Sequence, residues 1–134
     1  MCSCTTAEYT SNIGVTTIST ANSNLDGTGT LGTVLTSPIS SNGTLISYVT
    51  VKATGNTSQG MVRLFIDDGS NIRLFMEIRI PAVTQTGVSP AFGITIPVGI
   101  SLEASFLLKA STQNAETFNI TAYGQSWTNC TCPS

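Results

Sequence analysis

The chain of 134 residues contains no histidine. Histidine is the side chain whose ordinary pKa lies nearest neutral pH, so its absence removes Ser-His-Asp and Cys-His catalysis and the commonest zinc-hydrolase sites. Charged residues make up only 9%, against about 25% in an average domain. Five residues are basic, too few for the Lys/Arg patch on which nucleic-acid binding depends. We therefore expect neither an enzyme nor a nucleic-acid-binding protein.

Long hydrophobic runs are also missing. No apolar stretch approaches the roughly 20 residues that a membrane-spanning helix requires. The first residues, Met-Cys-Ser-Cys-Thr-Thr, have neither the basic nor the apolar segment of a secretory signal. We expect synthesis in the cytosol and no association with membranes. Thiols normally stay reduced there, although those of a particle released from a cell can oxidise afterwards.

Serine and threonine take the place of the missing charges and amount to about 28% of the chain. Such a composition favours short β-strands joined by turns. Apolar and polar residues alternate with a period of two in several segments, and Asp68-Gly69 between two of them is a hairpin signal. We predict about eight strands in an antiparallel β-sandwich of jelly-roll type. The clearest strands are Leu45–Ala53, Met61–Asp67, Asn71–Ile80, Phe92–Pro97, Leu102–Ala110 and Phe118–Trp127.

The apolar residues are unevenly distributed along the chain. Residues 1–43 are rich in Ser, Thr, Asn and Gly, which predicts an extended N-terminal arm or edge strands. Residues 44–127 are denser in apolar residues and are predicted to form the sandwich core. Residues 128–134 form a C-terminal tail that carries a second Cys-x-Cys motif.

Four cysteines lie in two mirrored pairs near the chain ends, at Cys2, Cys4, Cys130 and Cys132. Residues i and i+2 of a strand point to the same face, so each Cys-x-Cys presents two sulfurs side by side. Disulfides are the first hypothesis, either within one chain or between subunits, and four cysteines allow three intrachain pairings. A Cys₄ zinc site is an alternative, although its usual spacing is Cys-x₂₋₄-Cys. Free thiols are the remaining possibility.

No pair of carboxylates is placed for catalysis. Asp67 and Asp68 are adjacent in the hairpin turn, where a solvated turn is the simplest interpretation. No phosphate-binding or dinucleotide-binding motif is present, so no cofactor is expected.

The second half of the chain resembles a known group of proteins. The similarity runs from Met61 to Trp127 and is carried by Arg63–Leu74, Glu77–Ala82 and Leu108–Gly124, with Lys109–Asn119 the most specific part. These segments resemble small β-sandwich virion structural proteins of tailed bacteriophages, of the head-associated or decoration type. The resemblance implies a non-enzymatic protein of the virion, with capsid, neck or tail subunits as partners. It also implies a homo-oligomer, for which a trimer is favoured by analogy.

Exposed aromatic residues suggest a second function. Trp127, Tyr123 and Tyr48 are candidates for stacking on a sugar, which would make the chain a receptor-binding or carbohydrate-binding module of a fibre or spike. The competing interpretation of Trp127 is that it closes one end of the core.

Overall fold

The structure, a computed structural model, describes residues 7–129, and the side chains of Ala7 and Asn129 are not described. Within this range the chain forms eight strands and no helix. None of its elements is a helix long and apolar enough to cross a membrane. The strands are β1 (Ala7–Ile18), β2 (Gly32–Thr36), β3 (Gly43–Ala53), β4 (Gly60–Asp67), β5 (Ile72–Ile80), β6 (Gly93–Leu102), β7 (Leu107–Thr112) and β8 (Phe118–Asn129).

The strands form two four-stranded antiparallel sheets. Sheet A has the order β1-β8-β3-β6, and sheet B has the order β2-β7-β4-β5. The first strand therefore pairs with the last, the second with the seventh, the third with the sixth and the fourth with the fifth. This order of pairing arises when one long hairpin folds over on itself, and it is the topology of a jelly roll. The predicted all-β sandwich is confirmed.

The core lies between the two sheets and is built from alternate residues of each strand. Val49 and Val51 on β3 have no exposed surface, and neither do Val62 and Leu64 on β4. Branched side chains at these positions fill the space between two pleated surfaces without polar groups that would need partners. The same set includes Ile46, Ile78, Ile80, Leu108, Phe118 and Ile120.

Residues 7–43 contribute to this core. Their strands β1 and β2 are edge strands, one of each sheet. Ile18, Val34 and Leu35 are buried among the core residues. β1 pairs with β8 along its entire length. Three of the few apolar residues of this segment therefore face inward.

The outer face of sheet B is covered by residues 19–31, which cross it from β7 to β5. Asn22 donates its backbone N–H to Thr112 O over 2.8 Å at one end of the crossing. At the other end Gly27 lies against Ile72. The Asn22 side chain holds the segment together, since its Nδ2 donates to Thr28 O and Thr30 O at 3.0 Å each. The segment therefore covers part of the outer face of sheet B, while Leu74 and Glu77 on β5 stay exposed there.

One predicted strand was wrong. Leu102–Ala110 is interrupted by a turn, because Leu102 ends β6 and β7 starts at Leu107. The turn is closed by a hydrogen bond from Phe106 N to Glu103 O, and Ser105 adopts a φ of 75°. The alternation of apolar residues happens to continue through the turn, so the pattern alone could not reveal it. β6 is correspondingly longer than the predicted Phe92–Pro97.

Candidate functional site

The three predicted stacking residues lie on the outer face of sheet A. On β8, Ala122 and Ser126 are buried between the sheets, so Tyr123 and Trp127 point away from the core. Tyr48 on β3 points the same way. Tyr48 is 51% exposed and Tyr123 is 40% exposed. Trp127 is partly buried, and its indole lies against Gly43, its register partner.

A β-bulge gives Tyr48 its orientation. Ile46 and Tyr48 are two residues apart and would share a face in a regular strand. The register of β3 shifts between them, against both β6 and β8. Ile46 consequently points into the core, whereas Tyr48 points outward. The shift also makes Tyr48 the direct cross-strand partner of Tyr123.

These tyrosines are the middle of an apolar row that crosses all four strands of sheet A. Ile13 on β1 pairs with Tyr123, Tyr123 pairs with Tyr48, and Tyr48 pairs with Pro97 on β6. Ile13 is 61% exposed, and Pro97 is exposed as well. Directly opposed side chains lie about 4.5–5.5 Å apart at Cβ, so the row is continuous. We call Ile13, Tyr123, Tyr48 and Pro97 the apolar row.

The surroundings of the apolar row are polar but nearly uncharged. The neighbouring cross-strand rows present mainly hydroxyl and amide groups. Thr50 and Thr95 share a hydrogen bond of 2.9 Å between their hydroxyls, and Thr17 donates to Asn119 over 2.7 Å. The charged residue of this face, Lys52, lies near its margin and donates to Ala91 O over 2.6 Å.

Two shallow depressions flank the tyrosine pair. One has a volume of about 260 Å³ and is lined by Tyr48, Tyr123, Thr50 and Thr95. The other, of about 270 Å³, includes Ile13 and Ser47 with the same two tyrosines. Both are open rather than enclosed. Such a surface can hold side chains of a partner or a planar sugar ring, and it presents no acid or base to a substrate.

Asp67 and Asp68 lie on the other sheet, in the turn between β4 and β5. The backbone N–H of Gly69 and the ammonium of Lys109, 3.0 Å from the carboxylate, hold the pKa of Asp67 below its usual range. The pKa of Asp68 is also lowered, mainly by hydrogen bonds from the backbone N–H groups of Asn71 and Ser70. Arg73 lowers it further. Both carboxylates therefore organise the turn as anions.

The cysteine hypotheses lie outside the described residues. Cys2, Cys4, Cys130 and Cys132 all precede Ala7 or follow Asn129. Within residues 7–129, no group of three or more potential metal ligands lies close together. The ladder of β1 and β8 nevertheless brings the two ends of the described chain side by side, because Ala7 and Asn129 are register partners.

Sequence reasoning missed Ile13 and Pro97. Ile13 lies in a segment whose composition predicted an arm, and Pro97 was expected to do no more than limit a strand. Their place in the apolar row depends on strand register, which no local pattern contains. The sequence signal for this face was the presence of one tyrosine on each of the two central strands of sheet A, Tyr123 on β8 and Tyr48 on β3.

The similarity of this chain to known proteins is confined to solved structures. No family model matches the sequence. No curated protein matches it either. One matching solved structure is described as the cyanophage Pam1 capsid asymmetric unit. The match covers 91% of this chain and 86% of that chain, with 16% sequence identity and a TM-score of 0.46.

Proposed function

We propose that this chain is a non-enzymatic structural protein of a phage virion, a decoration protein that binds the capsid through the outer face of sheet A. The observation that carries the proposal is the apolar row, an exposed line of aromatic and aliphatic side chains across four strands. The row has no charged residue within it and no catalytic group beside it.

The chemistry of the face suits contact with another protein. Interface cores are enriched in Tyr and Trp and depleted in Lys, Glu and Asp. Aromatic anchors supply most of the binding free energy, and a polar rim excludes water around them. Here Tyr48 and Tyr123 would be the anchors. Ser11, Gln125, Thr50 and Thr95 would form the rim and exchange hydrogen bonds with the partner.

Two further observations support a virion role. Met61–Trp127 resembles virion structural proteins of tailed phages over segments that form β4, β5, β7 and β8. The jelly roll is also an architecture that viral capsid proteins use, although lectins use it as well, and fold alone does not decide function. The same resemblance supports a homo-oligomer, with a trimer as the proposed state.

Binding to particles tests the proposal. Particles of the encoding phage that lack this protein would be mixed with the purified chain, and the bound copies would be counted by quantitative mass spectrometry. We expect saturable binding of many copies per particle, and at least a tenfold weaker affinity for Ile13→Lys. The matched control is Val88→Lys, because Val88 is an exposed apolar residue in the loop between β5 and β6.

Both variants change exposed side chains, so their thermal unfolding midpoints should equal that of the unchanged protein. Absence of the chain from purified wild-type virions would refute the virion role. Equal binding of Ile13→Lys and Val88→Lys would refute the assignment of the contact to the apolar row.

A carbohydrate-binding module of a fibre or spike is the second candidate. The paired rings of Tyr48 and Tyr123, with Thr50 and Thr95 beside them, favour it because sugars stack on aromatic faces and bond to hydroxyls. A glycan array probed with the purified chain would show binding that Tyr48→Ser and Tyr123→Ser each remove. An array without signal, together with saturable binding to particles, would decide for decoration.

A further inference from the structure

The edges of the two sheets differ in how well they resist pairing with another strand. An edge strand leaves a row of backbone N–H and C=O groups unpaired, and proteins protect it by shortness, proline, charge or a bulge. In sheet B, β2 has only five residues, and β5 carries the charged residues Arg73, Glu77 and Arg79. In sheet A, β6 contains Pro97, and Gly99 on the same strand has a φ of 65°. Each of these edges therefore has a feature that hinders pairing.

The remaining edge, β1, has none of these features. Its twelve residues include no proline, lysine or arginine, and Glu8 is the only charged residue among them. Its ladder with β8 runs from Ala7 to Ile18 without a register shift. Among residues 7–129, β8 is the only strand that pairs with it, so the other side of β1 has no ladder. A long, regular and nearly uncharged edge of this kind is suited to accept a strand of another chain.

The backbone groups on the open side of β1 belong to its odd-numbered residues. At one end of β8, Thr117 O accepts a hydrogen bond from Thr54 N, just after β3, and at the other end Trp127 O accepts one from a residue just before β3. Backbone groups point alternately to the two sides of a strand, so the odd-numbered residues of β8 bond to β3 and the even-numbered ones to β1. The register partners of the latter are the even-numbered residues of β1. The N–H and C=O groups that face the open side are therefore those of Tyr9, Ser11, Ile13, Val15 and Thr17.

We propose that β1 pairs with β1 of a second copy of this chain, antiparallel and centred on Ile13, so that the two copies of sheet A form one continuous sheet. Ile13 is the middle residue of the odd-numbered set, so a two-fold axis at this point gives every open N–H and C=O group of the set a partner. Val15 then lies opposite Ser11 of the second copy, and Thr17 lies opposite its Tyr9. Cross-strand pairs of aromatic and β-branched side chains add to the stability of such a ladder.

The charge of β1 favours the antiparallel arrangement. Glu8 lies near one end of the strand, so its two copies would be about 34 Å apart along the joined edge. Parallel pairing would place the two carboxylates side by side, where like charges repel each other. A partner strand of the same sequence is therefore accepted without a charge conflict in one orientation only.

The pairing also joins the two apolar rows. Odd-numbered residues pair with odd-numbered residues, so the outer faces of the two A sheets lie on the same side. Ile13, which is 61% exposed at the end of each apolar row, meets its counterpart at the two-fold axis. The pairing uses the backbone edge and capsid binding uses the outer face, so either contact can form without the other.

Sedimentation equilibrium of the full chain tests the proposal, with a reductant present so that cysteines cannot link the chains. The contact should double the mass of whichever state the other surfaces hold, so a trimer would become a hexamer. Val15→Pro should halve that mass, because proline removes an N–H that the ladder with β8 does not use. Val15→Thr keeps the N–H and the branched side chain, and as the matched control it should sediment like the unchanged protein. Circular dichroism should show that both variants are folded.

Amide hydrogen exchange followed by NMR identifies the strand that makes the contact. We expect the Ile13 N–H to exchange at least about tenfold more slowly in the associated protein than in the dilute, dissociated chain. The Gly14 N–H, which faces β8, is the internal control and should be protected in both. Ser11→Pro, which removes the N–H opposite Val15, replaces Val15→Pro if that variant does not fold. A mass that the folded proline variant leaves unchanged would overturn the proposal. Association in which the Ile13 N–H exchanges as fast as in the dilute chain would overturn it as well.

Discussion

Arg63 on β4 and Glu77 on β5 are register partners, and Arg63 Nε donates to Glu77 Oε1 over 2.9 Å. Arg63 is only 7% exposed, although it lies on the outer face of sheet B. Its Nη2 donates to Gln113 Oε1, also over 2.9 Å. A buried guanidinium is thus compensated by one carboxylate and one amide. Removing either should cost more than a surface ion pair would.

Substitution of Glu77 by Ala should destabilise the fold. The change leaves the Arg63 charge with Gln113 as its remaining side-chain acceptor, and hydrogen bonds to charged groups contribute about 1.5–3 kcal/mol. We expect a loss of about 1–3 kcal/mol in the free energy of unfolding, measured by urea denaturation at neutral pH. Glu103→Ala, at an exposed carboxylate in the turn before β7, should stay within about 0.5 kcal/mol.

A double-mutant cycle isolates the pair. Arg63→Met removes the charge that Glu77 compensates, so adding Glu77→Ala to it should cost much less than Glu77→Ala alone. Additive losses in the double variant would mean that Glu77 acts through something other than Arg63.

The burial of Arg63 could not be predicted from the sequence. Alternation along β4 correctly separates an inward face from an outward one, because that pattern is local. On β5 it fails at a register shift, which places Leu74 opposite the outward Phe65 while Met76 lies opposite the inward Leu64. Whether the outward face meets solvent depends on residues 19–31, which return to it from a distant part of the chain. No local pattern indicates that Arg63 on this face is buried. The all-β sandwich was predictable because most of its strand and turn signals are local, although the turn between β6 and β7 left no such signal.

Leu35 and Ile39 provide a test of whether residues 7–43 are required for folding. Leu35 on β2 is 2% exposed and packs in the core, whereas Ile39, four residues later, is 84% exposed. Leu35→Ala should cost about 2–5 kcal/mol, as large-to-small changes in cores do. Ile39→Ala should cost less than about 0.5 kcal/mol. Urea unfolding of both variants gives the comparison.

The same reasoning applies to truncation. If residues 1–43 were only an extended arm, a chain lacking residues 1–40 would still fold. The truncation would remove β1, the full-length partner of β8, and all of β2. We now expect the truncated chain to be unfolded by circular dichroism. A cooperative unfolding transition in the truncated chain, or a small effect of Leu35→Ala, would show that the segment is dispensable.

The candidate face was only partly predictable. Tyr48, Tyr123 and Trp127 were recognisable as aromatic residues on strands, and they do share one face. Their grouping with Ile13 and Pro97 follows from register and from the bulge that turns Tyr48 outward. A regular strand would have placed Tyr48 on the same side as Ile46. Such irregularities result from the packing of the whole sheet, so a single sequence does not reveal them.

The lowered pKa of Asp67 predicts how the free energy of unfolding depends on pH. Its ordinary pKa is 3.8, and the Gly69 N–H and Lys109 lower the pKa in the folded chain. A lowered folded-state pKa means that the carboxylate stabilises the fold above the ordinary value and loses this effect as pH falls through the lowered one. Asp67→Asn should therefore be less stable than the unchanged protein at neutral pH, and the difference in unfolding free energy should shrink well below pH 3.8. Ser70→Ala, which alters the same turn without removing a titratable group, should keep the original pH profile. A difference between Asp67→Asn and the unchanged protein that is constant with pH would show that the carboxylate's charge has no part in stabilising the turn.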